Sequence, residues 1–433
     1  MTEQMNVPKL RFSEFSIAWK LMTLGDITSK VGSGATPRGG EKAYVESGIP
    51  FIRSQNVNNN RLLLDKICHI SEDTHASMKR SKIEPEDILL NITGASIGRS
   101  CVVPEHFQDG NLNQHVCIIR LKNDDPYFTQ SILSSYQGKK LVFQGMAGGG
   151  REGLNFESIK GFKMAFPQLP EQQKIASFLS KVDEKIGLLS EKKDKLTEYK
   201  RGVMQQLFNG KWHEQDGQLT FVPPTLRFKA DDGSEFPDWE EVQLGSLTSV
   251  MQSGISRQLS SDDIGYPILR SNNLYKGKVS FEDIKYWHLN DDQGADLTRY
   301  VLSDGDVLVN FINSLSQIGK VAIYQDLYGR DVIYTTNIMR LKFKASMISK
   351  FAFYSFNTVR YVNFIQSIAK PAVSQASFTT VDFKKYKMHL PVLAEQEKII
   401  SFLSALDQKI DLANSELKKA KEWKKGLLQQ MFV

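Results

Sequence analysis

The sequence is poor in the residues that build metal centres and disulfides. Its 433 residues include three cysteines and seven histidines. Cys68, Cys101 and Cys117 have no CxxC spacing and their number is odd, so we expect buried thiols instead of a disulfide framework or a zinc site. The histidines form no ligand-like pair. No metal ligand is therefore predicted.

Long apolar runs are missing as well. No stretch of 18 consecutive apolar residues occurs, and the opening MTEQMNVPKL lacks the basic-then-apolar order of a signal peptide. We therefore expect a cytoplasmic protein. With 41% hydrophobic and 24% charged residues the composition is that of a globular protein, and the length predicts two or three domains.

The familiar catalytic signatures are also missing. There is no GxxxxGK[ST] phosphate loop, and no GxGxxG joins a predicted strand to a helix. HExxH and the Asn/Asp-Pro-Pro-aromatic tetrapeptide of amino-methyltransferases do not occur. No catalytic residue is predicted, and an enzyme with an unfamiliar site stays the minority interpretation.

The net charge of +6 is mild for a chain of this length. Residues 209–393 carry 20 basic and 20 acidic side chains, so that region is neutral. This balance permits a nucleic-acid partner without demanding one. It predicts weak DNA binding by the isolated chain.

What the sequence does contain is a repeat. EQQKIASFLSKVDEKI begins at Glu171, and its near copy EQEKIISFLSALDQKI begins at Glu395. Over the segments 171–208 and 395–432 the offset stays constant, and 19 of 38 positions are identical without a gap. The chain therefore reads as a globular unit and a helix, followed by a second globular unit and a second helix.

The globular units repeat more weakly. PKLRF at Pro8 is answered by PTLRF at Pro224, and Trp19 by Trp239. FIRSQNV is answered by ILRSNNL, EDILLNITGASIGR by GDVLVNFINSLSQIGK, and IIRLK by IMRLK. The offset varies from one of these motifs to the next, so the units share a scaffold and differ in their loops.

The two repeated segments have the spacing of amphipathic helices. Apolar and aromatic side chains follow steps of three and four residues, which places them on one stripe. A helix of 38 residues spans roughly 57 Å and needs a partner along its length. We expect the two stripes to pair as a coiled coil, and packing of each helix on its own globular unit is the alternative. The predicted helix-pairing or subunit-docking residues are Ile175, Phe178, Val182, Ile186, Tyr199, Val203, Leu207, Ile399, Phe402, Leu406, Ile410, Trp423, Leu427 and Met431.

The globular units are predicted to be α+β with a mainly antiparallel sheet. DILLNITG, DVLVNFI, HVCIIRL and NIMRLKF are short apolar strand candidates. Residues 126–145 and 349–366 have helical spacing.

Polar loops at matched places carry the candidate DNA contacts. Arg, Asn and Gln bond bidentately to guanine and adenine edges, and Arg and Lys hold phosphates. For any single loop an ordinary polar turn is the favoured interpretation. Matched loops with changed residues in both units suggest two related readers of two different targets. The candidates are Arg38, Arg53, Gln55, Asn56, Arg99, Arg151, Arg257, Arg270, Asn272, Asn273, Lys320, Lys370 and Gln375.

Three features carry a resemblance to a known family: the duplicated helix, the ILLNITGASIGR run with its copy, and the opening PKLRF followed by Trp19. On these features the sequence resembles the specificity subunit of type I restriction-modification systems over essentially its whole length. The resemblance implies two pseudo-repeated target-recognition domains separated by two long antiparallel helices that form a coiled-coil-like spacer. It places target-recognition domains at residues 1–168 and 211–393, a central helical spacer at 169–210 and a C-terminal one at 394–433.

The resemblance also implies partners. Each domain would read one half of a bipartite site in double-stranded DNA, and the helices would set the half-site spacing and dock two methyltransferase subunits. Restriction subunits would join in the full complex. S-adenosylmethionine, ATP and Mg²⁺ would be bound by those partners, and this chain would be non-catalytic. A coiled-coil scaffold that does not bind DNA is the alternative function.

Overall fold

The computed structural model describes residues 7–58, 60–146, 153–215, 218–222, 224, 226–373 and 375–432, with only the backbone described at 211–222. The chain divides into two compact units. Unit 1 comprises Met1–Lys192 and Ala413–Val433, and unit 2 comprises Lys193–Leu412. Because each unit includes parts of both long helices, the four predicted segments stay a prediction about sequence organisation.

Unit 1 contains short strands, short helices, the start of the first long helix and the end of the second. Its strands are β1 Lys20–Thr23, β2 Thr28–Ser33, β3 Tyr44–Val45, β4 Ile49–Ile52, β5 Val57–Asn58, β6 Arg61–Leu62, β7 Cys68–Ile70, β8 Ile88–Asn91, β9 Ser100–Val102, β10 Asn111–Leu112, β11 Val116–Leu121 and β12 Lys163–Phe166. Its helices are α1 Leu24–Ile27, α2 Glu72–Ser77, α3 Pro126–Ser134, α4 Tyr136–Met146, α5 Phe156–Lys160 and the beginning of α6 Leu169–Phe208.

Unit 2 repeats this order with additional strands. Its strands are β13 Lys211–Gln215, β14 Gln218–Val222, β15 Glu240–Gln243, β16 Thr248–Ser253, β17 Gly265–Leu269, β18 Leu274–Tyr275, β19 Lys278–Val279, β20 Lys285–His288, β21 Val307–Asn310, β22 Ile312–Asn313, β23 Val321–Ile323, β24 Ile333–Tyr334, β25 Ile338–Phe343, β26 Lys370–Pro371, β27 Ala376–Ser377 and β28 Lys387–Leu390. Its further helices are α7 Leu244–Leu247, α8 Ser349–Ser355, α9 Val359–Ile368, α10 Thr380–Lys384 and the first part of α11 Leu393–Met431, together with the end of α6.

The same antiparallel sheet forms the centre of each unit. In unit 1 the strand order is β2-β11-β8-β9, and in unit 2 the equivalent antiparallel order is β16-β25-β21-β23. In unit 2 the sheet continues through a parallel pairing of β23 with β19, and β19 pairs with β18. A second sheet lies beside each, β10-β4-β7-β3 in unit 1 and β20-β17-β24 in unit 2. In both, one strand pair is parallel, β10 with β4 and β24 with β17. The prediction of an α+β scaffold with mainly antiparallel strands is confirmed.

The predicted helical spacing at residues 126–145 corresponds to two helices, α3 and α4, which meet at Ser135. The segment at 349–366 likewise forms α8 and α9. In unit 1 the chain approaches itself closely at this joint, because a Cβ on Gly138 would lie against the carbonyl oxygens of Ile132 and Leu133. Apolar spacing alone does not reveal such a break.

The long helices pack on their own unit and on each other within it. In unit 1, Ile175 and Val182 of α6 share one apolar core with Trp19 and with Leu427 and Met431 of α11. In unit 2, Ile399 and Leu406 of α11 share a core with Trp239, Val203 and Leu207. Pairing and packing on the globular unit therefore occur together, and neither of the two sequence alternatives holds alone.

Ion pairs set the direction of the helix pair. In unit 1, Lys424 contacts Asp183 at 2.5 Å and Lys192 contacts Glu416 at 3.7 Å, so α6 and α11 run antiparallel there. The repeat-equivalent pair in unit 2 is Lys200 with Asp407, also at 2.5 Å. The constant offset of the repeat thus places the same acid–base pair in both units.

A buried carboxylate attaches each globular unit to the start of its long helix. Glu171 is 2% exposed and accepts hydrogen bonds from Arg11 Nε and Nη2, both at 2.7 Å, and from Trp19 Nε1 at 3.2 Å. In unit 2, Glu395 is fully buried and accepts from Arg227 Nη2 at 2.7 Å and Trp239 Nε1 at 2.9 Å.

The hydrogen bonds to Glu171 and Glu395 raise the pKa of Arg11 and Arg227 above the usual arginine value. Each buried charge is thus paired and fully engaged, as burial requires.

The next residue of each helix makes a second attachment. Gln172 Oε1 accepts from the backbone N–H of Asp125 at 2.9 Å, and its Nε2 donates to the carbonyl oxygen of Pro167 at 2.9 Å. Gln396 repeats both bonds with Ile348 at 3.0 Å and Pro391 at 2.9 Å. The EQ dipeptide that opens each repeat therefore binds the loop before α3 or α8.

We expect Glu171→Gln to lower the free energy of unfolding by about 3 kcal/mol, since it leaves the Arg11 guanidinium partly buried without a counter-charge. Glu395→Gln should do the same in unit 2, and the two losses should add because the sites share no partner. Urea and thermal unfolding measure the change. Glu184→Gln, at an exposed position of the same helix, is the matched control and should change stability by less than about 0.5 kcal/mol. Equal effects at 171 and 184 would contradict this role.

Glycines at the base of the first polar loop allow a close backbone approach in each unit. Ala35 N donates to the carbonyl oxygen of Leu112, and Ile255 N donates to that of Tyr334, both at 3.0 Å. A Cβ on Gly34 or Gly254 would overlap these same carbonyl groups. The loop is thereby anchored to the strand beside it.

Gly34→Ala should cost about 1–3 kcal/mol of stability, because the added methyl group has no room beside the Leu112 carbonyl. Gly32→Ala is the control two residues earlier in the chain, since a Cβ there meets nothing within 4 Å. It should leave the free energy of unfolding within about 0.5 kcal/mol of the parent value. A harmless Gly34→Ala would show that the loop is not anchored in this way.

Candidate nucleic-acid interface

An asparagine at the end of a central strand joins two of the polar loops in each unit. Asn91 N donates to the carbonyl oxygen of Arg99 at 2.8 Å, and its Nδ2 donates to that of Ser54 at 2.9 Å. Asn310 repeats the pattern with Lys320 at 2.9 Å and Ser271 at 3.5 Å. The structure therefore brings the Arg-Ser turn and the Gly-Arg or Gly-Lys turn together at one end of the sheet.

Sequence analysis did not select these two asparagines. Both are fully or nearly fully buried, at 0% and 1% exposure. The available signal was a polar residue within an apolar strand at matched positions, in LLNITG and in LVNFIN. A buried amide needs hydrogen-bond partners, so this pattern could have predicted a structural hub.

The Arg-Ser turns have the same internal construction. Asn56 Oδ1 accepts from Arg53 N at 3.0 Å and its Nδ2 donates to the carbonyl oxygen of Leu63 at 2.9 Å. Asn273 Oδ1 accepts from Arg270 N at 2.9 Å, and its Nδ2 donates to the carbonyl oxygens of residues 280 and 282. Both amides are at most 2% exposed.

These bonds give Asn56 and Asn273 a structural role in the turn, and their selection as base contacts stays a prediction. Their side chains face inward and already bind the backbone, so they hold the turn in shape. The central residues of the same turns are exposed, Gln55 in unit 1 and Asn272 in unit 2. Each turn thus presents one amide side chain outward on a common framework.

The arginines that begin these turns are only partly available. The Arg53 guanidinium lies 5.7 Å from the centre of the Tyr44 ring, and Arg270 Nη2 donates to Asp283 at 2.7 Å. In the described part of the chain, Nε of both arginines and Oδ1 of Asn91 and Asn310 are buried without a hydrogen-bond partner. The same two polar atoms, an arginine Nε and an asparagine Oδ1, are thus unsatisfied in each unit, so the local geometry is copied together with the sequence.

The first polar loops differ between the units. Arg38 is exposed in a turn that follows Gly34. Arg257 instead makes a two-bond ion pair with Asp291, at 2.7 Å to each oxygen. That pair, with further bonds from Trp287 and Ala295, holds the pKa of Asp291 well below its usual range. Arg257 is therefore held by Asp291 within its own unit, and its selection as a DNA contact stays a prediction.

The remaining candidates lie on two further loops. Arg99 and Lys320 are exposed and each follows a glycine with positive φ, Gly98 at 83° and Gly319 at 79°. Lys370 and Gln375 are exposed on the hairpin formed by β26 and β27, which pairs with β22 just after Asn310. Arg151 lies outside the described residues. The third loop of unit 2 thus reaches the same end of the sheet.

The predicted helix residues separate into buried and exposed groups. Tyr199 and Trp423 are 55% and 50% exposed, and they occupy equivalent positions of the repeat. Leu188 and Leu412 form a second exposed, equivalent pair at 60% and 58%. The other predicted members are buried or half-buried: Ile175, Phe178, Val182, Ile186, Val203, Leu207, Ile399, Phe402, Leu406, Ile410, Leu427 and Met431.

The described residues offer no site for a metal ion. Across residues 7–432, apart from the undescribed positions, no group of three or more His, Cys, Asp or Glu side chains converges as ligands would. Within those same ranges, no helix combines the length and the apolar character needed to cross a membrane. Burial raises the pKa of the Cys101 and Cys117 thiols to about 12, as expected for inert core cysteines.

Comparison with known proteins identifies the family. The model of the type I restriction modification DNA specificity domain matches the chain twice, at residues 17–198 and 237–422. The EcoKI specificity subunit of Escherichia coli is 22% identical over 86% of this chain and 78% of its own length. The MjaVIII specificity subunit of Methanocaldococcus jannaschii is 23% identical over 96% and 92%.

A third relative, provisionally named the MjaX specificity subunit of a type I restriction enzyme in Methanocaldococcus jannaschii, is 32% identical, and the match spans 48% of each chain. The chain thus spans about half the length of that relative. Among solved structures, the S subunit of a type I restriction-modification system from M. genitalium superposes with a TM-score of 0.57 at 13% identity over 99% of both chains.

A chain from a structure describing assembly of a type I R-M system gives a TM-score of 0.55 at 14% identity, covering 95% of this chain and 97% of that chain. The relatives carry the name of specificity subunits, in agreement with the predicted non-catalytic role, and a scaffold unrelated to DNA is not favoured. Because two copies of the family domain cover most of its length, the chain belongs to the type I restriction-modification DNA specificity family.

Proposed function

We propose that each unit reads one half of a bipartite site in double-stranded DNA, through the loops gathered at the end of its central sheet. The observation that supports this most strongly is the common framework around Asn91 and Asn310. Both units repeat its hydrogen bonds, whereas the exposed side chains on it differ. A constant framework with varied tips suits two readers of different base sequences.

The proposed reading residues are those that the framework leaves exposed. In unit 1 they are Arg38, Gln55 and Arg99, and in unit 2 they are Asn272, Lys320, Lys370 and Gln375. Amide side chains such as Gln55 and Asn272 match the N6 and N7 edge of adenine, and exposed basic side chains suit guanine or phosphate. Arg53 and Arg270 are proposed as phosphate contacts close to these tips.

The paired parts of α6 and α11 are proposed to set the distance between the half-sites. The ion pairs Asp183–Lys424 and Lys200–Asp407 fix the register of these helices within their units. The exposed equivalents Tyr199 and Trp423, with Leu188 and Leu412, offer the same apolar groups twice. A surface that occurs twice suits two copies of one partner, and we assign it to two methyltransferase subunits.

The proposed complex supplies what this chain lacks. Methyltransferase subunits would bring S-adenosylmethionine, and restriction subunits would bring ATP and Mg²⁺, in the cytoplasm. Because residues 209–393 carry no net charge, we expect the partner subunits to contribute additional contacts to the DNA phosphates.

Gln55→Ala should weaken discrimination at one base pair of the half-site read by unit 1, by about 1–3 kcal/mol or roughly 5- to 150-fold. Asn272→Ala should do so only in the other half-site. Each variant is the control for the other, and sequencing of methylated DNA after incubation with the methyltransferase partner measures both. Loss at both half-sites, or at neither, would contradict independent reading by these turns.

Seven residues inserted after Lys192 and seven after Leu412 should lengthen the preferred gap between unchanged half-sites. Seven helical residues add about 10 Å, close to three base-pair steps of ~3.4 Å, and keep nearly the same helix face. Methylation of a library of gap lengths measures the preference. An insertion of glycine and serine residues at the same points is the control and should broaden the preference without a defined shift. Retention of the original gap by the helical variant would refute the spacer.

A further inference from the structure

In each unit, the hairpin that follows the Arg-Ser turn contacts the long helix. Arg61, in the hairpin of β5 and β6, donates from Nη2 to the carbonyl oxygen of Asp183 in α6 at 3.2 Å. Lys278, in the hairpin of β18 and β19, contacts Asp411 of α11 at 2.6 Å. Arg61 and Lys278 both begin the second strand of their hairpin.

The two cations lie beside equivalent helix positions of the repeat, although the groups that accept them differ. Gly187 in unit 1 corresponds to Asp411 in unit 2, because both follow the last residue of the aligned EQQKIASFLSKVDEKI and EQEKIISFLSALDQKI segments. A Cβ on Gly187 would lie 2.7 Å from Arg61 Nη2, so the absence of a side chain lets the guanidinium reach the carbonyl one turn earlier. In unit 2 a carboxylate at the same place binds the ammonium directly. Two different chemistries therefore produce the same contact.

The other side of each hairpin is also held. Asn60 Oδ1 accepts from Ser134 Oγ of α3 at 2.9 Å. In unit 2, a Cβ on Gly277 would lie 2.7 Å from the Phe353 ring of α8, so that hairpin turn packs closely on the helix. The hairpin is thus fixed between a short helix and the long helix, and it continues directly from the turn that presents Gln55 or Asn272.

This contact is a further attachment of each globular unit to its helix, in addition to the shared apolar core and the bonds of Gln172 or Gln396. The first is the buried Glu171 or Glu395 at the helix start. The hairpin contact lies 12 residues further along α6 and 16 residues further along α11, or about 18 Å and 24 Å at 1.5 Å per residue. A contact farther along the helix resists rotation of the unit about the helix start, so the hairpin contact adds a constraint on the angle between the unit and its helix.

We propose that Arg61 with Gly187, and Lys278 with Asp411, are positioning residues that fix the angle of each reading unit on its helix and thereby restrict the gap lengths the protein accepts. This inference rests on the proposed function, because it assigns to these residues the precision of half-site spacing. It separates two properties. The exposed side chains of the polar loops determine the bases recognised, and the hairpin contact determines the range of gap lengths accepted between the half-sites.

Unit 2 offers a charge-exchange test. Lys278 and Asp411 are 68% and 54% exposed, so single substitutions should leave folding intact. The complex of the full chain with its methyltransferase partner is incubated with DNA in which the wild-type half-sites flank gaps of every length, and methylated molecules are sequenced. Lys278→Glu and Asp411→Lys should each raise methylation at gaps one base pair shorter or longer, relative to the preferred gap, by about 1.5- to 5-fold. The double variant should return to the wild-type profile.

Unit 1 offers a steric test with a matched control. Gly187→Ala should displace the Arg61 guanidinium and broaden the accepted gaps, while the melting temperature holds or rises because alanine favours helix. Gly426→Ala makes the same change in the other long helix within unit 1, where a Cβ meets nothing within 4 Å, and should leave the gap profile unchanged.

The outcomes separate this inference from the proposed function. If the wild-type complex methylates a bipartite site and the variants keep its narrow range of accepted gaps, the positioning role alone is overturned. Variants that change the half-site bases without broadening the gap would also overturn it. A wild-type complex that shows no bipartite site would refute the proposed function and the positioning role together.

Discussion

The structure depends on one buried carboxylate at the start of each long helix. Glu171 and Glu395 each accept hydrogen bonds from an arginine and a tryptophan contributed by the beginning of the same globular unit. A buried charge is unfavourable unless its partners are in place, so the helix start and the first segment of the unit must form together. The bonds to Glu171 and Glu395 therefore orient each globular unit relative to the start of its long helix.

The second constraint is the hub asparagine at the end of the central sheet. Asn91 and Asn310 tie two loops to one strand by equivalent hydrogen bonds, whereas the exposed side chains of those loops differ between the units. Variation in the exposed tips therefore need not disturb the core. This division between a fixed framework and changeable tips gives a physical reason why one scaffold can occur twice in a chain and carry two specificities.

Sequence reasoning recovered the features that apolar spacing encodes. The gap-free repeat located both long helices, and the runs around residues 88–91 and 116–121 proved to be central strands. These features are local, so periodicity predicts them. The resemblance to a known family then gave the order of domains and helices.

The polar architecture was harder to predict because its partners are distant in sequence. The Arg257–Asp291 ion pair joins residues 34 positions apart, and Arg11 and Glu171 are 160 apart. A loop arginine that is already paired cannot be told from a free one by sequence alone, so the ion pair of Arg257 was not predicted. The inward turn of Asn56 and Asn273 was missed for the same reason, since composition shows which groups can bond but not which way they face.

The central claim is that one chain reads two different half-sites at a fixed separation. The most direct measurement is sequencing of all methylated positions in random DNA exposed to this chain together with its methyltransferase partner. The account predicts a single bipartite motif, composed of two different base sequences separated by a gap of constant length and unspecified sequence. A continuous motif, or two half-sites methylated independently of their separation, would contradict it.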